Sequence, residues 1–362
     1  MSVTPSPAVL AGDASRLAAR AAAAAHEAAA RMEVAVHDIF LSQPGRLDDR
    51  TRAAVLRLAE ATVDAVEQRI AGLAARTLNE RDQREAAAVL ESNRSLAWPR
   101  LLGAGLMRDA EMIAALIAQA RIDLLDDSLT TLRAHDAGPT VVVSLVEHAD
   151  AGWSDAAVRY LVADSLRRLA AGERDAMLPA PLRSRLTWWV AAALRERLGA
   201  LGGAEADRAL SEAALRCLED DHSSDGIESA AIRLAVLLGA VPGQRGDWML
   251  RAMESARSTL FVALLAEALG TDFCEARGLL LDSESERLWL ALRAAGLPRD
   301  AIARIGFLLS EADPARDLPA LIEWLDPLAA LDPVVAQEAL AELRLPRDFR
   351  AAVRTLTRPS CP

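Results

Sequence analysis

Few residues in this chain are placed to do chemistry. His26 is followed by Glu27 within the alanine-rich stretch LAARAAAAAHEAAAR. An imidazole presented on a helical hairpin can take a phosphoryl group, and an acidic neighbour often accompanies such a histidine. His26 is therefore the candidate phosphoacceptor of a phosphorelay reading. A chance His-Glu pair on a solvated helix explains the same residues. Glu33 and His37 have the i, i+4 spacing of helical metal ligands, but no third ligand accompanies them, so no metal site is assigned. Asp126-Asp127 and Glu219-Asp220-Asp221 would need to converge in a cleft to act as acids, bases or ligands. In their turn-like setting they read as solvated helix ends. GQRGDW (243–248) lacks the strand–turn–helix setting of a phosphate loop and reads as an interhelical turn with Asp247 as a cap. No catalytic residue and no cofactor follows from these patterns, and the chain reads as a non-enzyme.

The tryptophans are the stronger recognition signal: there are seven, against one tyrosine and five phenylalanines. Most are expected to pack between helices. Trp188 and Trp189 are adjacent, so on a helix they point about 100° apart and cannot both enter the same core. Trp189 is the candidate interaction residue, lining a groove as aromatic anchors do.

The elements that would carry these residues are helices. Hydrophobic residues make up 52% of the 362 positions, but aromatics only 4%, and much of the remainder is alanine, the strongest helix former. Residues 1–12 read as a disordered N-terminus. Residues 13–80 read as an N-terminal hairpin of two long helices, the second striped by Leu56, Ala59, Val63, Val66, Ile70 and Leu73. An Ala-rich hairpin buries little area alone, which suggests a homodimer through it. Residues 81–357 read as shorter helices, including separate ones at 108–125 and 127–134, before a tail at 358–362. A helix opening at Ser154 has Val158, Leu161, Val162, Leu166 and Leu169 as its apolar stripe. Near the C-terminus, residues 281–305 and 331–353 both run Leu-Asp, helix, Leu-Pro-Arg-Asp, at an offset of about fifty residues that suits a two-helix repeat.

The formal net charge of −11 argues against a nucleic-acid partner, which would favour a basic surface. All 41 basic residues are arginine. The three cysteines, Cys217, Cys274 and Cys361, are too few and too scattered for a disulfide framework, and Cys217 shares an apolar stripe as a small core residue. No signal peptide or membrane span is expected, which places the protein in the cytoplasm.

The stretch 33–73, with Asp38-Ile39-Phe40-Leu41, then Arg46-Leu47 and Asp48-Asp49 before a long helix, resembles the start of an alphaproteobacterial domain-of-unknown-function family. The later LLLDSESERLWLALRAAGLPRDAIARI is similar to that family's C-terminal half. The resemblance implies a HEAT-like α-helical repeat protein with no established activity, and it carries over no catalytic residue. The fold expected is thus all-α: an N-terminal helical hairpin followed by irregular HEAT-like repeats, an α-solenoid. The function expected is protein–protein recognition, as a bacterial signalling adaptor or regulator with a protein partner, and phosphorelay through His26 is the alternative.

Overall fold

The computed structural model describes residues 47–92, 95–133, 140–167, 176–223, 226–241, 243–282, 286–346 and five positions between 349 and 356. His26, Glu33, His37, Asp38, the first helix of the expected hairpin and both tails lie outside the described residues. By contacts the chain divides into two units, Met1–Arg52 and Ala53–Pro362.

Among the described residues the chain is all-α, with sixteen α-helices and no strand. In chain order these are α1 (Asp49–Glu80), α2 (Arg84–Glu91), α3 (Ala97–Gly103), α4 (Ala110–Arg133), α5 (Val141–Val146), α6 (Ala151–Leu166), α7 (Ala180–Leu198), α8 (Ala204–Ser223), α9 (Ile227–Gly239), α10 (Arg245–Glu254), α11 (Ser258–Leu269), α12 (Phe273–Leu281), α13 (Glu286–Ala294), α14 (Arg299–Ala312), α15 (Leu318–Ala330) and α16 (Pro333–Ala339). Short polar side chains start many of them by accepting orphan backbone N–H groups. Asp48 accepts from Thr51 N at 2.8 Å, and Asp272 accepts from Glu275 N at 2.8 Å. The helix expected at Ser154 begins a turn earlier, because Asp150 accepts from Gly152 N and Trp153 N. Asp247 is not a cap but lies in the first turn of α10.

Two apolar cores organise the second unit. One joins α1, α2, α3, α7 and α8, with Ile70, Leu78, Leu101, Leu186 and Leu194 fully buried. Cys217 of α8 is buried in it, as a small core residue should be. The other is built from α5, α6 and α9 onward. Helix α4 belongs to both: Met112, Leu116 and Ala120 enter the first core, and Ile122, Leu125 and Leu129 the second. It is one continuous helix, where two were expected at 108–125 and 127–134. The acidic pair taken for a boundary sits within it, where Asp126 has tertiary partners of its own.

Helix α11 is the centre of the second core. Every residue from Ser258 to Ala266 is buried, the signature of a helix enclosed on all sides. It packs against α4, α9, α10, α12 and α13, and α4 also reaches α12 and α14. A one-dimensional stack would restrict each pair to its neighbours. The two similar C-terminal segments meet directly, since α13 packs on α16.

Helix α6 turns most of its expected stripe outward. It buries Ala156, Ala157, Tyr160 and Ala163, whereas Val158, Val162 and Leu166 are 42%, 51% and 71% exposed. Of the stripe only Leu161 packs partly against the core, and Leu169 lies outside the described residues. The alanines let α6 lie close against α9, and close approach replaces bulky interdigitation. A similar approach fixes Gly306 in α14, where an added Cβ would stand 2.1 Å from Leu321 Cδ2 and 3.3 Å from Trp289 Cη2. Gly306→Ala should destabilise by about 1–3 kcal/mol despite alanine's better helix propensity, because both neighbours are buried. Urea titration checks this, and a stabilised variant would refute the packing argument.

Candidate functional site

Two adjoining concavities flank the C-terminal half of α4. The outer is a groove of about 580 Å³ between α4, α10 and α14. Leu129, Leu132, Met253, Phe307 and Leu308 supply its apolar lining, and Arg133, Arg251, Arg304, Glu254 and Glu311 its charges. Leu132 and Phe307 remain 40% and 45% exposed. Arg251 is held in place on two sides: its guanidinium lies 4.7 Å over the Trp248 ring, and Nη2 donates to Ser144 Oγ at 3.1 Å. Trp248 in turn meets Trp153 edge-on at 5.7 Å, and Trp153 stacks on His148 at 4.6 Å. Arg304 Nε donates to Glu254 Oε1 at 3.3 Å, so a carboxylate balances this cation.

The inner concavity is a polar cavity of about 150 Å³, which shares Arg133 and Ser255 with the groove. Helical spacing builds it. Asp123, Asp126, Thr130 and Arg133 follow the i, i+3, i+7, i+10 face of α4. Tyr160 and Asp164 come from α6, and Arg167 follows at its end. Ser255, Ala256 and Arg257 form the turn from α10 to α11. In that turn Ala256 takes φ +53°, and Arg257 N donates to Ala252 O at 2.9 Å, a helix-ending geometry usually given to glycine. The turn brings Ser258 N within 2.9 Å of Asp126 Oδ1. Arg167 pairs with Asp123, and Arg257 with Asp164 at 3.0 Å.

Among the described residues no guanidinium is paired with Asp126 in this way. Burial pushes its carboxyl up to about 6, and Asp123 adds to the rise, while the bonds from Ser258 and the charge of Arg257 oppose it. Burial likewise raises the Tyr160 phenol well above its ordinary value. Asp126 is thus not a solvated helix end but a partly buried, tertiary-bonded carboxyl. The signal was present as polar residues at helical spacing between Ile122, Leu125 and Leu129, but Asp126-Asp127 alone looked like a turn.

Residues 112–341, which contain both concavities, match a family described as "Uncharacterised protein conserved in bacteria (DUF2336)". The chain belongs to this family. The stretch 33–73, on which the family resemblance was first read, lies outside the DUF2336 match, and residues 281–305 lie inside it. No curated protein and no solved structure matches the chain.

Elsewhere in the DUF2336 region, Trp189 is half-buried and packs against the first core, whereas its neighbour Trp188 is 40% exposed. Neither lines the groove or the cavity. Among the described residues no group of three or more His, Cys, Asp or Glu is arranged to hold a metal ion, and no helix is long and apolar enough to cross a membrane. Among the described residues, Cys217 and Cys274 are not joined in a disulfide.

Proposed function

We propose that this DUF2336 protein is a non-catalytic adaptor that binds a segment of a protein partner in the groove between α4, α10 and α14. The observation that carries the reading is Phe307, an aromatic side chain left half-exposed in a concave apolar surface beside the fixed guanidinium of Arg251. Binding energy concentrates on such anchors, and a pre-positioned arginine loses little entropy on engaging a carboxylate. The local pairing of α5 with α6, α7 with α8, and α14 with α15 supports a HEAT-like arrangement of helix pairs, here gathered around α11. Cysteines outside any disulfide, as Cys217 and Cys274 are, are compatible with action in the cytoplasm.

Phe307→Asp should reduce capture of a stoichiometric partner from the native host at least tenfold, with an unchanged circular dichroism spectrum. Trp189→Ala is the companion variant. Loss with Trp189→Ala alone would move the binding face to α7, and undiminished capture by Phe307→Asp would end the groove reading. The homodimer proposed through the N-terminal hairpin is tested by light scattering after removal of residues 1–46. Deletion to residue 80 cannot serve, because Ile70, Ala74 and Leu78 of α1 are core residues.

A further inference from the structure

Helical spacing arranges two walls of the groove. On α14, Arg304, Phe307, Leu308 and Glu311 follow i, i+3, i+4 and i+7, so all four share one face. On α10, Arg251 and Glu254 stand about one turn apart, and the buried Met253 lies beneath the opening.

The charges on these walls are not all matched. Arg304 pairs with Glu254. Arg251 is held by Trp248 and Ser144 but pairs with no carboxylate among the described residues, and Glu311 forms no ion pair there either. Both are wetted while the groove is open. An occupant that covers them expels this water, so it must bring a charge of opposite sign to each. A fatty acid would answer Arg251 alone. A peptide segment can carry an acidic residue toward α10, a basic residue toward α14, and apolar side chains for Phe307 and Leu308.

Backbone chemistry sets the conformation of that segment. The groove lies between helices, which bond their own N–H and C=O groups, and the described residues contain no strand edge to which an extended chain could add. An extended segment would lay unpaired backbone groups against Phe307 and Leu308. A helix arrives with its backbone already satisfied.

Resting on the groove reading above, we infer that the partner segment is an amphipathic α-helix of about four turns. Its large apolar residues stand at i, i+3 or i+4, and i+7. An acidic residue on one flank pairs with Arg251, and a basic residue on the other pairs with Glu311.

The test is selection of phage-displayed random peptides of about sixteen residues, enough for four turns, against the full-length protein. Selected peptides should carry this pattern, lose binding when proline is placed at their centre, and bind Phe307→Asp at least tenfold more weakly. Arg251→Glu and Glu311→Arg should each weaken binding at least tenfold. Reversing the matching charge in the peptide should restore it, a rescue that general damage to the fold would not allow. Peptides that depend on Phe307 but tolerate the central proline or both charge reversals would overturn the inference and leave the groove reading standing. Peptides that bind wild type and Phe307→Asp alike would overturn the groove reading and the inference together. The inference also fails if no peptide is selected, or if sodium dodecanoate binds instead with the same dependence on Phe307.

Discussion

Glu67→Ala should lower folding stability by about 3–5 kcal/mol, because it removes one half of a buried ion pair and a helix cap together. Glu67 of α1 and Arg197 of α7 are 3.4 Å apart, with side chains only 5% and 8% exposed. Glu67 also accepts from Ala97 N at 3.0 Å, Leu96 N at 3.3 Å and Ser95 Oγ at 3.2 Å. Helix α3 starts after Leu96, which has no side chain able to cap it, so Glu67 supplies the missing acceptor from thirty residues away. The alanine variant leaves the Arg197 guanidinium without its carboxylate and orphans the N–H groups at the start of α3. Urea denaturation measures the loss. The double variant Glu67→Leu, Arg197→Met should recover part of it, since apolar side chains of similar size leave no stranded charge. A loss below about 1 kcal/mol for Glu67→Ala would show that water screens the pair.

Asp126→Asn should act in the opposite direction and depend on pH. The Asp126 carboxyl is raised from 3.8 to about 6 in the folded protein. Between about pH 4 and pH 6 the folded state therefore holds a proton that the unfolded chain has released. Stability falls as pH rises through that window, and the full cost of ionising Asp126 is felt above about pH 6. A rise of this size corresponds to at most about 3 kcal/mol. Asparagine keeps an oxygen that can accept from Ser258 N and carries no charge to desolvate. The variant should match the wild type near pH 4 and exceed it by up to about 3 kcal/mol at pH 7.5. Because other groups titrate in both proteins, the difference between their stability curves is the quantity to measure. A difference independent of pH would mean that Asp126 ionises in the folded protein as it does in the unfolded chain.

Much of the fold was legible because helix formation is a local matter. Alanine content, the stripe of α1 and caps such as Asp272 depend on residues within a turn or two of one another, and the all-α architecture followed from them. The seat of Cys217 was legible for the same reason, since its stripe neighbours Leu210, Ala213 and Ala214 share its face and its burial. The expectation failed where facing depended on a distant partner. The Val158, Val162 and Leu166 stripe is the bulkier side of α6, yet the alanine side is buried, because closeness to α9 decides the matter and no local pattern encodes it.

The candidate site was less legible still. Asp126 and Asp127 are adjacent in the chain but differ in environment, because one points toward the turn between α10 and α11 and the other is exposed. Tyr160 offered no motif, and Phe307 is one aromatic among many apolar positions. Local interactions within a few residues determine where helices start and stop. Which polar side chains share a cavity, and which aromatic is left uncovered, depends on packing between residues such as Asp126 and Ser258, more than a hundred positions apart. Burial energies set that packing, and they act through space without regard to sequence separation.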